Sequence, residues 1–171
     1  MDIALSRFME IWTSIPLLLL IITISAISET RSIYLIMVLL GVFGWPGTAR
    51  FMRGEMLRVR SQDYVEAARA LGVSDRRILF RHALPNSMAP VLVVIAFGVA
   101  GAIVLEAGLS FLGIGVPDDV ITWGKLLKEA RYDVSAWWMT IFPGGTIFIV
   151  VFSLNLIGEG LRDALDPKTL D

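Results

Sequence analysis

The sequence predicts an all-α membrane protein with four transmembrane helices and a helix-turn-helix loop on the cytoplasmic side. Three observations carry this. The 171 residues are 56% hydrophobic, against about 45–50% in soluble domains, and mean hydropathy is +0.71. Four stretches are free of charge over lengths near the roughly 20 residues that cross a bilayer core of about 30 Å. Eight arginines crowd the segment between the second and third of them. Buried helices of a soluble protein are the alternative, and four uncharged stretches in so short a chain argue against it.

The spans are expected at about 11–28, 33–49, 86–105 and 139–157, in a single transmembrane domain over 1–171. The first contains Pro16. The third belongs to a run without charge from 83 to 105, and the fourth to one from 134 to 158 with its most apolar part at 147–157. The opening ten residues carry Asp2, Arg7 and Glu10, and no small-x-small cleavage site follows the apolar run, so a signal peptide is not expected. The absence of cysteine excludes a disulfide framework and a thiol nucleophile. The lone histidine, His82, excludes a multi-histidine metal site. A net charge of −1 gives no sign of nucleic-acid binding.

Orientation follows from Lys and Arg in the loops. The loop at about 50–85 holds Arg50, Arg53, Arg58, Arg60, Arg69, Arg76, Arg77 and Arg81 against Glu55, Asp63, Glu66 and Asp75. The loop between spans three and four holds Lys125, Lys128 and Arg131 against Glu106, Asp118, Asp119, Glu129 and Asp133. The arginine-rich loop is therefore expected in the cytoplasm. Four spans place both termini there too, in agreement with Arg7, Arg162 and Lys168.

The spans are rich in helix breakers: Gly41-Val-Phe-Gly-Trp-Pro-Gly47, Pro85 and Pro90, and Pro143-Gly-Gly145. In lipid, backbone groups freed by such residues must be satisfied by neighbouring protein or water, so these spans are expected to pack against protein. Each glycine also has the plainer reading of a packing residue. In the outer loop, Trp123, Leu126, Leu127 and Ala130 recur at helical spacing, which predicts a short amphipathic helix. Trp137 and Trp138 suit the membrane interface before span four.

The cytoplasmic loop carries the most specific pattern. Asp63-Tyr-Val-Glu-Ala-Ala-Arg-Ala-Leu-Gly72 begins with good helix formers, and Gly72 suits the left-handed position that ends a helix. Ser74 is expected to cap a second short helix, with Asp75 near its positive end, and Pro85 to mark a turn into span three. Ala67, Ala68 and Ala70 make the first helix slim enough to sink into a groove on another protein. The alternative is a solvated basic loop that merely fixes topology.

The order Glu66-Ala67-Ala68, three residues, Gly72, then Leu84-Pro85 resembles the EAA loop of ABC importer permeases. A hydrophobic residue is usual two positions before that leucine, where His82 stands here. Arg81-His82-Ala83-Leu84-Pro85-Asn86 is similar to the dipeptide, oligopeptide and nickel branch. Ser14-Ile15-Pro16, Gly44-Trp45-Pro46-Gly47, Leu109-Ser-Phe-Leu-Gly-Ile-Gly115 and the stretch from Asn155 through Arg162 to Pro167 extend the likeness over nearly the whole chain. Asp133-Val-Ser-Ala-Trp-Trp138 resembles the microcin C subgroup.

The resemblance implies a type I importer permease in a bacterial or archaeal plasma membrane. It implies two ABC ATPase subunits, a second permease subunit and an extracytoplasmic substrate-binding protein as partners, and no cofactor. ATPase docking would fall to Tyr64, Glu66, Ala67, Ala68, Arg69, Ala70, Leu71, Gly72, Leu84 and Pro85. A peptide is the implied substrate, with nickel or another small solute as the alternative. Family permeases usually carry two further helices first, so the chain is expected to be the C-terminal portion of a permease, unable to transport by itself; an inactive truncated permease or membrane scaffold is the further alternative. No phosphate loop of the form Gly-x-x-x-x-Gly-Lys-Ser/Thr occurs in the sequence, so energy would come from partners. A membrane-embedded enzyme fails on inventory: no His-Glu-x-x-His, no cysteine, and only Glu106 at a span's outer end, where a structural or snorkelling role is expected.

Overall fold

A computed structural model describes residues 2–28, 32–117, 119–133 and 135–165. Asp118, Val134 of the Asp133–Trp138 stretch, the Asp166–Pro167 end of the last motif, and Lys168 lie outside them. The order of elements is α1 (Asp2–Thr13), α2 (Leu17–Ile27), α3 (Ile33–Arg60), α4 (Asp63–Ala70), α5 (Asp75–Ile78), a π-helical turn (Leu79–Ala83), α6 (Leu84–Phe111), α7 (Trp123–Glu129) and α8 (Trp138–Leu165).

Three helical runs are long and apolar enough to cross a membrane: Ile33–Arg60, Asp75–Phe111 and Trp138–Ala164. A fourth candidate is the pair α1 and α2, bent by 59°. The first span was expected as one helix over 11–28; the structure breaks it at Pro16. Proline offers no amide hydrogen and disfavours helix at the residue before it. Pro16 is accordingly extended, at φ −61° and ψ 117°, and the hydroxyl of Ser14 turns back to the Ile11 carbonyl at 2.6 Å.

The other helices outrun their apolar segments. α3 continues past residue 49 to Arg60 and α8 past 157 to Leu165. The added residues of α3, among them Glu55, Met56, Leu57 and Arg58, are good helix formers despite their charge. Hydropathy marks what lipid tolerates, whereas the backbone ladder stops only where propensity or a cap stops it.

By contact, the chain divides into two compact units, Met1–Pro46 with Val99–Leu154, and Gly47–Gly98 with Asn155–Asp171. The first unit is centred on Ile21, Ile36, Leu39, Leu109 and Val116. Within it Pro46, fully buried in α3, withdraws the amide hydrogen that the Val42 carbonyl would otherwise accept. The indole N–H of Trp12 on α1 donates to that carbonyl instead, at 3.2 Å, and the Trp12 ring stacks on Phe43 at 5.0 Å. The breaker is thus satisfied by neighbouring protein, as lipid requires.

In the same unit α6 ends at Gly113, φ +80°. Gly113 N–H bonds to Ser110 O at 3.0 Å and Ile114 N–H to Leu109 O at 2.9 Å, the paired bonds of a Schellman cap. The outer helix α7 forms as expected, with Thr122 capping it by accepting from Lys125 N–H. Its closest contact is made by a residue outside that apolar set. Trp123 is 36% exposed, and Gly124 does the packing: a Cβ there would stand 2.1 Å from the Ala107 carbonyl oxygen. Apolar periodicity misses a contact made by the absence of a side chain.

Candidate functional site

The arginine-rich loop is a folded module within the second unit. α3 supplies Met56 and Val59, α4 supplies Val65 and Ala68, and Val73, Ile78 and Ala83 close a small apolar core. Val59, Val65 and Ile78 are 2%, 1% and 3% exposed. Burying such side chains is worth roughly 1.5–3 kcal/mol each, enough to hold two helices too short to persist in water by themselves.

Gly72 has φ +76°, the left-handed conformation expected of it. Gly72 N–H bonds to Arg69 O at 2.9 Å and Val73 N–H to Ala68 O at 3.1 Å. This is the Schellman pattern, and its hydrophobic partners, Val73 and Ala68, both pack on the module core. A Cβ at Gly72 would meet nothing within 4 Å, so glycine is required there by backbone conformation alone.

Two expectations need correction. Ser74 does occupy the cap position of α5, but its side chain makes no capping bond; the Ser74 carbonyl instead accepts from Arg77 and Ile78 N–H at 2.9 and 3.0 Å. Pro85 marks no turn. The chain stays helical from α5 through Leu79–Ala83 into α6, and Leu84 N–H reaches back five residues to Leu79 O. That wider turn lies just where Pro85 removes a donor and would crowd the Arg81 carbonyl in a regular helix.

Polar ties fix the helices to one another. Arg69 Nε meets Asp75 Oδ1 at 3.4 Å, joining α4 to α5. Asn86 Nδ2 donates to the Tyr64 hydroxyl at 3.2 Å and to the His82 carbonyl at 2.8 Å. Buried Ser87 donates to Ala83 O and lies 3.0 Å from Met56 Sδ, joining α6 to α3.

Of the residues singled out in the sequence, the structure gathers Tyr64, Glu66, Ala67, Arg69, Ala70, Leu71 and Gly72 as an exposed stretch of α4 and its cap. Ala68 is half-buried against the module core, whereas Ala67 and Ala70 are exposed. Leu71 stands 84% exposed, an apolar side chain with no internal reason to be there. Leu84 is half-buried and Pro85 exposed at the start of α6. Sequence reasoning missed Phe80, 59% exposed beside Arg81; its signal was an aromatic in a run of arginines. It also missed Met56 and Val59, which the loop borrows from the end of α3. Among the described residues no cluster of three metal-ligating side chains occurs.

All of residues 1–171 match the family described as binding-protein-dependent transport system inner membrane component. The chain belongs to this family. Family relatives include a putative peptide transport system permease protein of Brucella suis biovar 1 (strain 1330), 46% identical over 168 residues, which are 98% of this chain and 56% of that one. The oligopeptide transport system permease protein of Haemophilus influenzae is 39% identical over 98% of this chain and 54% of its own. The dipeptide transport system permease protein of Alkalihalophilus pseudofirmus is 39% identical over 98% and 55%. The chain therefore spans a little over half the length of these family members. Its apolar helices fit a family of multi-pass membrane components.

Proposed function

We propose that this chain forms part of the membrane pathway of an ATP-driven peptide importer in a bacterial or archaeal plasma membrane, and that the module α4–Gly72–α5 docks an ATPase subunit at the cytoplasmic face. The observation that carries the docking role is the combination of an internally cored module with an outward face of Glu66, Ala67, Ala70 and Leu71. A rigid, slim helix with one protruding apolar side chain and a few charges suits entry into a groove, and rigidity in the free state lowers the ordering cost of binding. The peptide substrate is supported by the functions for which the relatives are named. The family's description, a binding-protein-dependent transport system, supports an extracytoplasmic binding protein as a partner, and a second permease subunit belongs to the same proposal.

Mechanically, ATP closure of the ATPase dimer would move the docked modules, and the spans would reorient around a central pathway. Co-purification of the ATPase subunit with Glu66→Lys and Leu71→Ser variants tests the assignment. Both variants are expected in the membrane at parental level with ATPase recovery reduced about tenfold or more, the loss of one buried anchor at an interface. Full recovery with both would remove the module from the coupling role.

A further inference from the structure

In the first unit α3, α6 and the start of α7 line an open cleft of about 320 Å³, at the small end of the roughly 300–1,000 Å³ usual for ligand sites. Its walls include Ile36, Met37 and Ile103, with Thr122 and Trp123 at the mouth of α7. Among the described residues that line it, Glu106 is the one that carries charge, and no cation joins it. Glu106 is also the only charged residue from Ala83 to Leu112, and an ionisable group so placed in a span ordinarily serves function.

Its carboxylate is held in place. Ser110, 4% exposed, donates its hydroxyl to Glu106 Oε1 at 2.7 Å, and Val116 N–H points to Ser110 Oγ at 3.4 Å. The chain can pass this close because residue 115 is glycine: a Cβ there would stand 2.2 Å from Ser110 Oγ. Oε1 is thereby occupied, and among the described residues no second hydrogen bond to the carboxylate accompanies it.

We propose that this cleft receives a primary ammonium attached to an apolar group, with Glu106 as its counter-ion. On the importer reading, the occupant is the amino terminus of a peptide with an apolar first residue. The chemistry is selective. One carboxylate supplies too few oxygens for a hard metal ion and repels an anion. The mostly apolar lining favours an apolar group over a fully hydrated cation, and an indole can add attraction for an ammonium. The volume suits a terminal residue and not a whole peptide.

The chain lacks cysteine, so Ala102→Cys, or Ile103→Cys as a second reporter, places a single thiol in the cleft wall of this chain. The importer assembled with its partners in nanodiscs would be alkylated with a maleimide in the presence of leucinamide or N-acetyl-leucinamide, which differ in the charged amine. Leucinamide is expected to slow labelling at a concentration about tenfold lower than its acetylated form, the worth of one charge-assisted bond. Glu106→Gln, which keeps an acceptor for Ser110, is expected to abolish that difference. Equal slowing by the two compounds, slowing by neither, or a difference that survives Glu106→Gln overturns the site. Slowing by phosphatidylethanolamine nanodiscs alone, in a Glu106-dependent manner, identifies a lipid headgroup as the occupant and overturns the peptide assignment. Peptide uptake by the same preparation is scored separately. Protection without uptake sinks the importer reading and keeps the ammonium site, and uptake without protection does the reverse.

Discussion

At Gly72 and at Gly113 a helix ends in the same way, with glycine at positive φ and the same pair of backbone bonds behind it. Beyond the cap the two segments part ways. After Gly113 the chain presses back on its own helix: Gly115 leaves no room for a Cβ beside Ser110, and Gly124 none beside Ala107. Lys128 lies over the turn, with Nζ 3.2 Å from where a Cβ on Gly113 would be. A Cβ at Gly72 would meet nothing within 4 Å, and Leu71 beside it is 84% exposed. The backbone device is common to both; they differ in whether later glycines bring the chain against its own helix, as Gly115 and Gly124 do, or only side chains such as Val73 make the return contact. One turn is covered by the chain that follows it, and the other keeps Leu71 exposed beside it.

The two turns are expected on opposite sides of the membrane, since Arg crowds one loop and not the other. Single cysteines at Ser61 and Asp119 should report it in intact cells: an impermeant thiol reagent is expected to label the second and spare the first. The reverse result would invert the assignment.

Crowding should separate the two loops next. Gly124→Ala is expected to destabilise the outer loop by about 1–3 kcal/mol, the usual cost of overpacking, seen as a lower melting temperature of the assembled protein and faster proteolysis between α6 and α8. Gly72→Val should cost about 1–2 kcal/mol of local strain without a clash, so membrane level stays normal while ATPase recovery and uptake fall. Loss of the Gly72→Val chain from the membrane would show that the turn is structural and not coupling.

Lys128→Ala should leave ATPase association unchanged and melting within about 0.5 kcal/mol of the parent. The smallest effect lies at Asp133, where the Ser135 hydroxyl and N–H hold the carboxyl below its ordinary range. A carboxyl so lowered contributes stability above its unfolded pKa and loses it as pH falls through the folded one. In Ser135→Ala an NMR titration of Asp133 is expected to move up toward the ordinary value.

The sequence revealed most where a rule depends on one residue. Gly72 could be placed in the left-handed region because a Gly after Glu-Ala-Ala-Arg-Ala-Leu has few other uses. The spans were visible because lipid leaves few alternatives to apolar helices. The helix ends were not, because Glu55 to Arg60 lose apolarity without losing helix propensity. Within the site, Ala68 could not be told from Ala67 and Ala70. Which alanine faces inward depends on Met56 and Val59, which lie on another helix. The π-turn was hidden for a related reason: a proline signals a break, and only the neighbouring carbonyls decide between a break and a widened turn.

The bond from Trp12 to the Val42 carbonyl also sets an order on mutation. Loss of Trp12 while Pro46 is present leaves the Val42 carbonyl without its donor, whereas replacement of Pro46 by alanine first restores a backbone donor and takes over that part of the role of Trp12. The two positions are therefore epistatic, and a double-mutant cycle on melting temperature should return a coupling of about 0.5–3 kcal/mol. Descendants of this chain that drop the tryptophan would be reached most readily by a path that gives up the proline beforehand.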